Sequence, residues 1–138
     1  MSYTLFAEHN VLQWQGVRPA INGTQIGVHG HAQNATTVLY TVPASRTLFV
    51  FNTWHHAIMW AMAGLELTFG VYNETPALVY PFFYSPNAGI GCVSDGNLAR
   101  WVPYQVPPLY SIRCVGVGTL GHIAAGFEGV LVTPEENP

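Results

Sequence analysis

Lysine is missing from this chain, and charge of either sign is scarce. Of 138 residues, four are basic (Arg18, Arg46, Arg100 and Arg113) and seven are Asp or Glu, so charged residues make up 8%, against roughly 25% in an ordinary soluble domain. A net charge of −3 with no basic cluster leaves no stripe that would release counterions from a phosphate backbone, so no nucleic-acid partner is expected. A free monomer keeps itself soluble with interspersed charges; a chain that omits them is expected to hide much of its surface against other chains. Cysteine is nearly absent as well. Cys92 and Cys114 show no CxxC or Cys-His spacing and read as two reduced thiols used as small apolar side chains, with neither a metal site nor a disulfide implied.

Long apolar runs are also lacking. The uncharged stretch Thr47 to Leu65, near the length of a membrane helix, holds Asn52, Thr53, His55 and His56, which hydrocarbon would penalise, so no membrane partner is expected. The opening MSYTLFAEHNVLQWQG has neither the basic n-region nor the apolar h-region of an export signal, which reads as synthesis and assembly in a cytoplasm.

What the chain does have is 49% hydrophobic and 13% aromatic residues, with 14 glycines and 10 prolines spread throughout. Scattered Gly and Pro keep every apolar run short, the punctuation of an all-β domain. Residues 1–36, broken by Gly16, Pro19, Gly23, Gly27 and Gly30, read as an extended N-terminal arm, residues 37–133 as the β domain and residues 134–138 as a polar tail. Within the domain TTVLYTV predicts a strand, Pro43-Ala44-Ser45 a turn, and RTLFVFNTW a second strand expected to neighbour the first. HHAIMWAMAG reads as a loop or one short helical excursion. LELTFGVY alternates Leu65, Leu67, Phe69 and Val71 against Glu66, Thr68, Gly70 and Tyr72, one face for a core and one for water. After the turn Asn73-Glu74-Thr75-Pro76, the run ALVYPFFYS contains Pro81, which points to an edge or a bulge. SPNAGIGCVSDGNLA reads as a long loop, and RWVPYQV, PLYSIRCVGV and HIAAGFEGVLV as three more strands. Six or seven short strands at this spacing define an antiparallel β-sandwich, jelly roll or barrel.

The conspicuous chemical residues are His9, His29, His31, His55, His56 and His122. His29 and His31 would share one face of a strand, the placement two zinc ligands need, but a third ligand and orienting carboxylates are not visible; His55 and His56 would point to opposite faces. Polar surface or interface histidines are the expectation. Among the acidic residues Glu66 and Glu128 alone lie in strands with a chance of facing each other, and no GxSxG, HExxH, Walker or EF-hand pattern occurs. The glycines of GVGTLG precede no helix and so offer no phosphate cradle. Neither enzyme activity nor a cofactor is expected. Trp14, Trp54, Trp60 and Trp101, with Tyr72, Tyr80, Tyr84, Tyr104 and Tyr110, would suit either a sugar-stacking platform or packing; core or subunit interface is the reading adopted.

The stretch Val38 to Leu48, VLYTVPASRTL, resembles the "LYTVPAGKTL" opening of small β-sandwich virion proteins of tailed bacteriophages, with Tyr40, Thr41, Val42, Pro43 and Ala44 as its matching structural residues. Ser45 stands where that pattern has glycine and Arg46 where it has lysine. VPPLYSIRCVGVG followed by HIAAGFEGVLV is similar, more loosely, to the late strands of such proteins. The resemblance implies an antiparallel, jelly-roll-like sandwich in a virion structural protein, with no catalytic residues to carry over. Its expected role is a capsid decoration or cement subunit; the alternative is a tail or fibre protein that binds host-surface glycan. Expected partners are other virion proteins, the major capsid protein or tail proteins, and further copies of the chain in a homo-oligomer, a trimer being favoured. Trp14, Arg18, Trp54, Trp60 and Trp101 are the candidate interface residues.

Overall fold

The structure is a computed structural model; it describes residues 23–59, 66–86, 92–117 and 121–133, with the backbone alone described at Met59, Pro86, Cys92, Val93 and Trp101. Eight strands follow one another: β1 (Thr24–Gln33), β2 (Ala35–Thr41), β3 (Thr47–Met59), β4 (Glu66–Tyr72), β5 (Leu78–Pro86), β6 (Cys92–Val106), β7 (Ser111–Val117) and β8 (Gly121–Val132). They form two four-stranded antiparallel sheets, in the orders β1-β8-β3-β6 and β2-β7-β4-β5. Successive strands cross between the sheets except at β4-β5, giving the expected jelly-roll-like sandwich.

The core lies between the sheets. Leu48, Val50 and Ala57 of β3, Leu67, Phe69 and Val71 of β4, Ile112 and Cys114 of β7, and Ile123, Ala125 and Phe127 of β8 are all buried. Tyr40 closes one side with an edge-to-face contact to Phe127, centroids 6.2 Å apart.

Four expectations are corrected. Residues 24–33, assigned to an arm, are strand β1, paired over its whole length with β8 from Thr24↔Leu131 to Gln33↔His122. Its period of two was hidden by glycine: Ile26, Val28, Gly30 and Ala32 face inward, and side chains on Gly30 would press on Leu39. Residues 1–22 lie outside the described residues, as do 134–138.

The strands flanking Pro43-Ala44-Ser45 do not neighbour each other, because β2 pairs with β7 whereas β3 pairs with β6 and β8. Arg46 N–H donates to Pro43 O (3.2 Å) and Ser45 has φ 68°, the left-handed third position of a type II turn. Beyond β2, Val42 N–H donates to Tyr110 O and Leu109 N–H to Val42 O, both 2.9 Å, so this end of the chain stays tied to β7's approach while the turn sends β3 to the opposite sheet.

The supposed loop or helix at HHAIMWAMAG continues β3 through Met59; residues 60–65 lie outside the described residues. The supposed loop SPNAGIGCVSDGNLA joins β6 from Cys92 onward, where Ser94, Asp95 and Gly96 pair with Ala57, His56 and His55. Gly96, which reads as a loop residue, is instead a strand position where a side chain would not fit: a Cβ on it would collide with the His55 imidazole.

ELTFGVY does become β4, Leu65 lying outside the described residues, but Thr68 and Gly70 on its water-facing side are buried too. Tyr72 and Arg113 spread over that surface, Arg113 lying 5.8 Å from the Tyr72 ring centroid. β5 is an edge strand with irregular register around Pro81, as that proline foreshadowed. In β6 the register against β3 jumps from Val50↔Tyr104 to Asn52↔Ala99, a bulge that accommodates Pro103 on an edge.

Candidate functional site

Antiparallel pairs project side chains to the same side, so the register assigns every residue to a face. On the outer face of β1-β8-β3-β6, one row runs His31, Ala124, His56, Asp95; the next runs His29, Gly126, Trp54, Asn97; beyond them lie Gln33, His122 and Ile58 on one side, and Gly27, Glu128, Asn52 and Ala99 on the other. Four of the six histidines therefore share one flat face. His29 and His31 do lie together, as their spacing indicates; His55 and His56 do part, His55 turning inward and His56 outward.

Trp54 is the centre of this face. A Cβ on Gly126 would collide with its indole, so the ring lies across the backbone of β8, and Gly126 leaves the space it occupies. Beside it His56 Nδ1 pairs with Asp95 Oδ1, both side chains largely exposed. Asn52 Nδ2 donates to Glu128 Oε1 at 3.5 Å. His31 and His122 meet edge to face with centroids 6.4 Å apart. Among the described residues no group of three His, Cys, Asp or Glu side chains converges as metal ligands. Glu66 and Glu128 sit on different sheets and both turn outward, so they do not face each other.

His55 faces the sandwich interior, stacked on Phe83 (centroids 4.2 Å, 24° between planes), with Nε2 3.1 Å from Ser94 Oγ. Burial lowers its pKa below the usual histidine value; Asp95 opposes that and His56 adds to it. Burial also pushes the Cys114 thiol up to about 12, and Cys114 is a free cysteine within the core. The side chain of Cys92 is outside the described residues.

The other sheet exposes apolar side chains. Val38, Val117 and Tyr84 project from the outer face of β2-β7-β4-β5, each about half exposed, alongside Glu66 and Arg113, while Val79 and Tyr80 of β5 and Leu98 and Val102 of β6 are exposed on the two edge strands that share an aromatic seam. At that seam Tyr80 stacks on Tyr104 (4.2 Å, 16°), Phe82 meets Tyr104 edge to face (6.0 Å), and the Arg100 guanidinium lies 5.0 Å above Phe82.

The sequence-derived interface residues separate accordingly. Trp54 is on the histidine face; Trp101 is in the β6 bulge; Trp14, Arg18 and Trp60 lie outside the described residues. Tyr40, Thr41, Val42, Pro43 and Ala44 end β2 and form the inter-sheet turn. Asp95 and Asn97 were missed as members of a face because their strand reads as a loop. The available signal was the alternation Asp95, Asn97, Ala99 after Cys92, opposite the alternation of Trp54 and His56.

No protein-family model matches this chain, and no curated protein matches it. Among solved structures it is similar to a chain of the cyanophage Pam1 capsid asymmetric unit, at 15% identity and a TM-score of 0.48, covering 78% of this chain and 85% of that one. It is also similar to a chain of infectious bursal disease virus, Gx strain, at 13% identity and a TM-score of 0.35, covering 86% of this chain and 31% of that one.

Proposed function

We propose that this chain is a virion structural protein, a capsid decoration or cement subunit that attaches through the apolar outer face of β2-β7-β4-β5 and the adjoining β5/β6 seam. The observation that carries this is the sidedness of the molecule. Val38, Val117 and Tyr84 project, about half exposed, from the outer face of the β2-β7-β4-β5 sheet, and Val79, Tyr80, Leu98 and Val102 are exposed on the edge strands β5 and β6 of a nearly uncharged chain; exposed apolar side chains sharing a face favour contact with other protein. The VLYTVPASRTL resemblance supports the virion setting. Other copies of the chain, in a trimer, and the major capsid protein are the proposed partners, and the proposed location is the virion, assembled in the host cytoplasm.

The test is co-sedimentation with shells lacking the subunit, taken from particles of the virus whose genome carries this reading frame, together with sedimentation equilibrium of the free protein. The unaltered chain pellets with the shells and self-associates; the double variant Val38→Asp/Tyr84→Asp, whose positions are exposed enough to leave the core intact, stays in the supernatant. Binding by the double variant equal to the unaltered chain would refute the assigned face. Absence of the chain from the particle would refute the virion role.

A further inference from the structure

The histidine face is left without a task by an assembly surface on the other sheet, and its chemistry points to a ligand of another kind. We infer that the outer face of β1-β8-β3-β6 is a binding site for a neutral saccharide, with Trp54 as the stacking platform and His29, His56 and Asn97 as its hydrogen-bonding rim. The inference rests on this sheet alone and not on the virion reading.

Three features converge. The Trp54 indole lies across Gly126, supported from beneath by backbone and still partly exposed, and an aromatic ring held flat on a rigid sheet offers an apolar plane to the C–H face of a pyranose. The rim comes from neighbouring strands in the same two rows: His29 on β1, His56 on β3 and Asn97 on β6. Imidazole and carboxamide each donate and accept, which matches hydroxyl groups that do both. The charge pattern selects against ions. Among the described residues the two carboxylates of the face are engaged by neighbours, Asp95 by His56 and Glu128 by Asn52, and no arginine projects from it: Arg113 belongs to β7, Arg46 to the inter-sheet turn, and Arg100 turns toward Phe82 on β5. A polyanion would find no clamp here. Apolar protein would find little to bury, because the exposed Val38, Val79, Tyr84 and Val117 belong to the other sheet, Leu98 pairs with the inward Thr53, and Val102 sits in the β6 bulge. Four strands give a platform about 14 Å across, room for a short oligosaccharide.

The experiment uses the full chain with cello-, malto-, chito- and manno-hexaose as probes and oligogalacturonate as the anionic comparison. Binding is followed by isothermal titration and by the indole N–H signals in heteronuclear NMR, with Trp54→Phe assigning the Trp54 signal. At least one neutral hexaose binds and shifts the Trp54 signal, while oligogalacturonate does not. Trp54→Ala weakens binding about thirtyfold, the scale of truncating a buried tryptophan anchor; Asn97→Ala, at an exposed edge position, weakens it less and keeps the native melting profile; Tyr84→Ala, on the other sheet, leaves it unchanged. Failure of every neutral hexaose to bind, selective binding of oligogalacturonate, or unaltered affinity in both Trp54→Ala and Asn97→Ala would overturn the site. None of these readouts involves particles or self-association, so the assembly face stands or falls separately.

Discussion

Two turns are held by residues that their backbone does not favour. Ser45 has φ 68° and Leu109 φ 71°, each at the third position of a turn closed by an N–H to carbonyl bond, Arg46 to Pro43 and Tyr110 to Pro107. L-residues are strained in this region by about 1–2 kcal/mol. Leu109 is kept there because its N–H also donates to Val42 O, which ties the turn to the end of β2. At Ser45 the glycine of the resembling phage pattern would relieve the strain, offset in part by its greater freedom when unfolded. Ser45→Gly is therefore expected to stabilise by about 0.5–1 kcal/mol, whereas Ala44→Gly, one residue earlier and without positive φ, destabilises by a similar amount. Urea midpoints measured at constant slope check both.

His55 makes stability depend on pH. Its folded pKa lies below the ordinary 6.5 because burial beside Phe83 penalises the imidazolium, and the Asp95 carboxylate compensates only in part. Above the unfolded pKa both states are neutral and nothing is lost. As pH falls below 6.5 toward the folded pKa, the unfolded chain takes up the proton first, so this group's contribution is progressively lost. Chemical denaturation at pH 7.5 and pH 5 should show a decline in stability that is smaller in His55→Gln; an unchanged decline would assign the effect to other groups.

At the scale of elements, β1 and β6 are the edges of one sheet and meet the edge problem differently. β1 covers the flank of β8 with ten residues in unbroken register and adds Ile26, Val28 and Ala32 to the interior. β6 protects its outer side with the bulge and Pro103, which interrupt any template for another strand. β1 is thus structural, which changes what truncation does. A chain starting at Asn34 is expected to be at least about 3 kcal/mol less stable than one starting at Gly23, through lost core side chains and unpaired β8 backbone. Equal urea midpoints for the two truncations would show that β1 is dispensable.

For the whole molecule, two sheets carry two kinds of surface. One presents Val38, Tyr84 and Val117; the other presents histidines, Asn97 and a flat tryptophan. Association through the first draws on apolar burial, and with four arginines and no lysine there are few ion pairs for salt to screen. Self-association should change less than about threefold between 50 mM and 500 mM sodium chloride, as sedimentation equilibrium would show. A steep fall with salt would mean that charge, and not the apolar face, holds the copies together.

The sequence by itself determined the class of fold, through short apolar runs punctuated by Gly and Pro, and it determined local facts that depend on neighbours along the chain: the edge character of β5 from Pro81, the shared face of His29 and His31, and the opposite directions of His55 and His56. Each follows from backbone geometry and period two alone. Tertiary structure decided the rest. β1 and the first half of β6 became strands because distant β8 and β3 supply their hydrogen bonds, and the glycines that looked like breakers, Gly30 and Gly96, are small because Leu39 and His55 fill their space. The Pro43–Arg46 turn could join two strands of one sheet or pass between sheets; pairing with β7 on one side and β8 on the other chose the second. Trp54 was legible as an aromatic in a strand, but its place between His29 and Asn97 exists only because β1, β8, β3 and β6 lie side by side in that order, and strand order is set by burial of the whole core and not by any stretch of the chain.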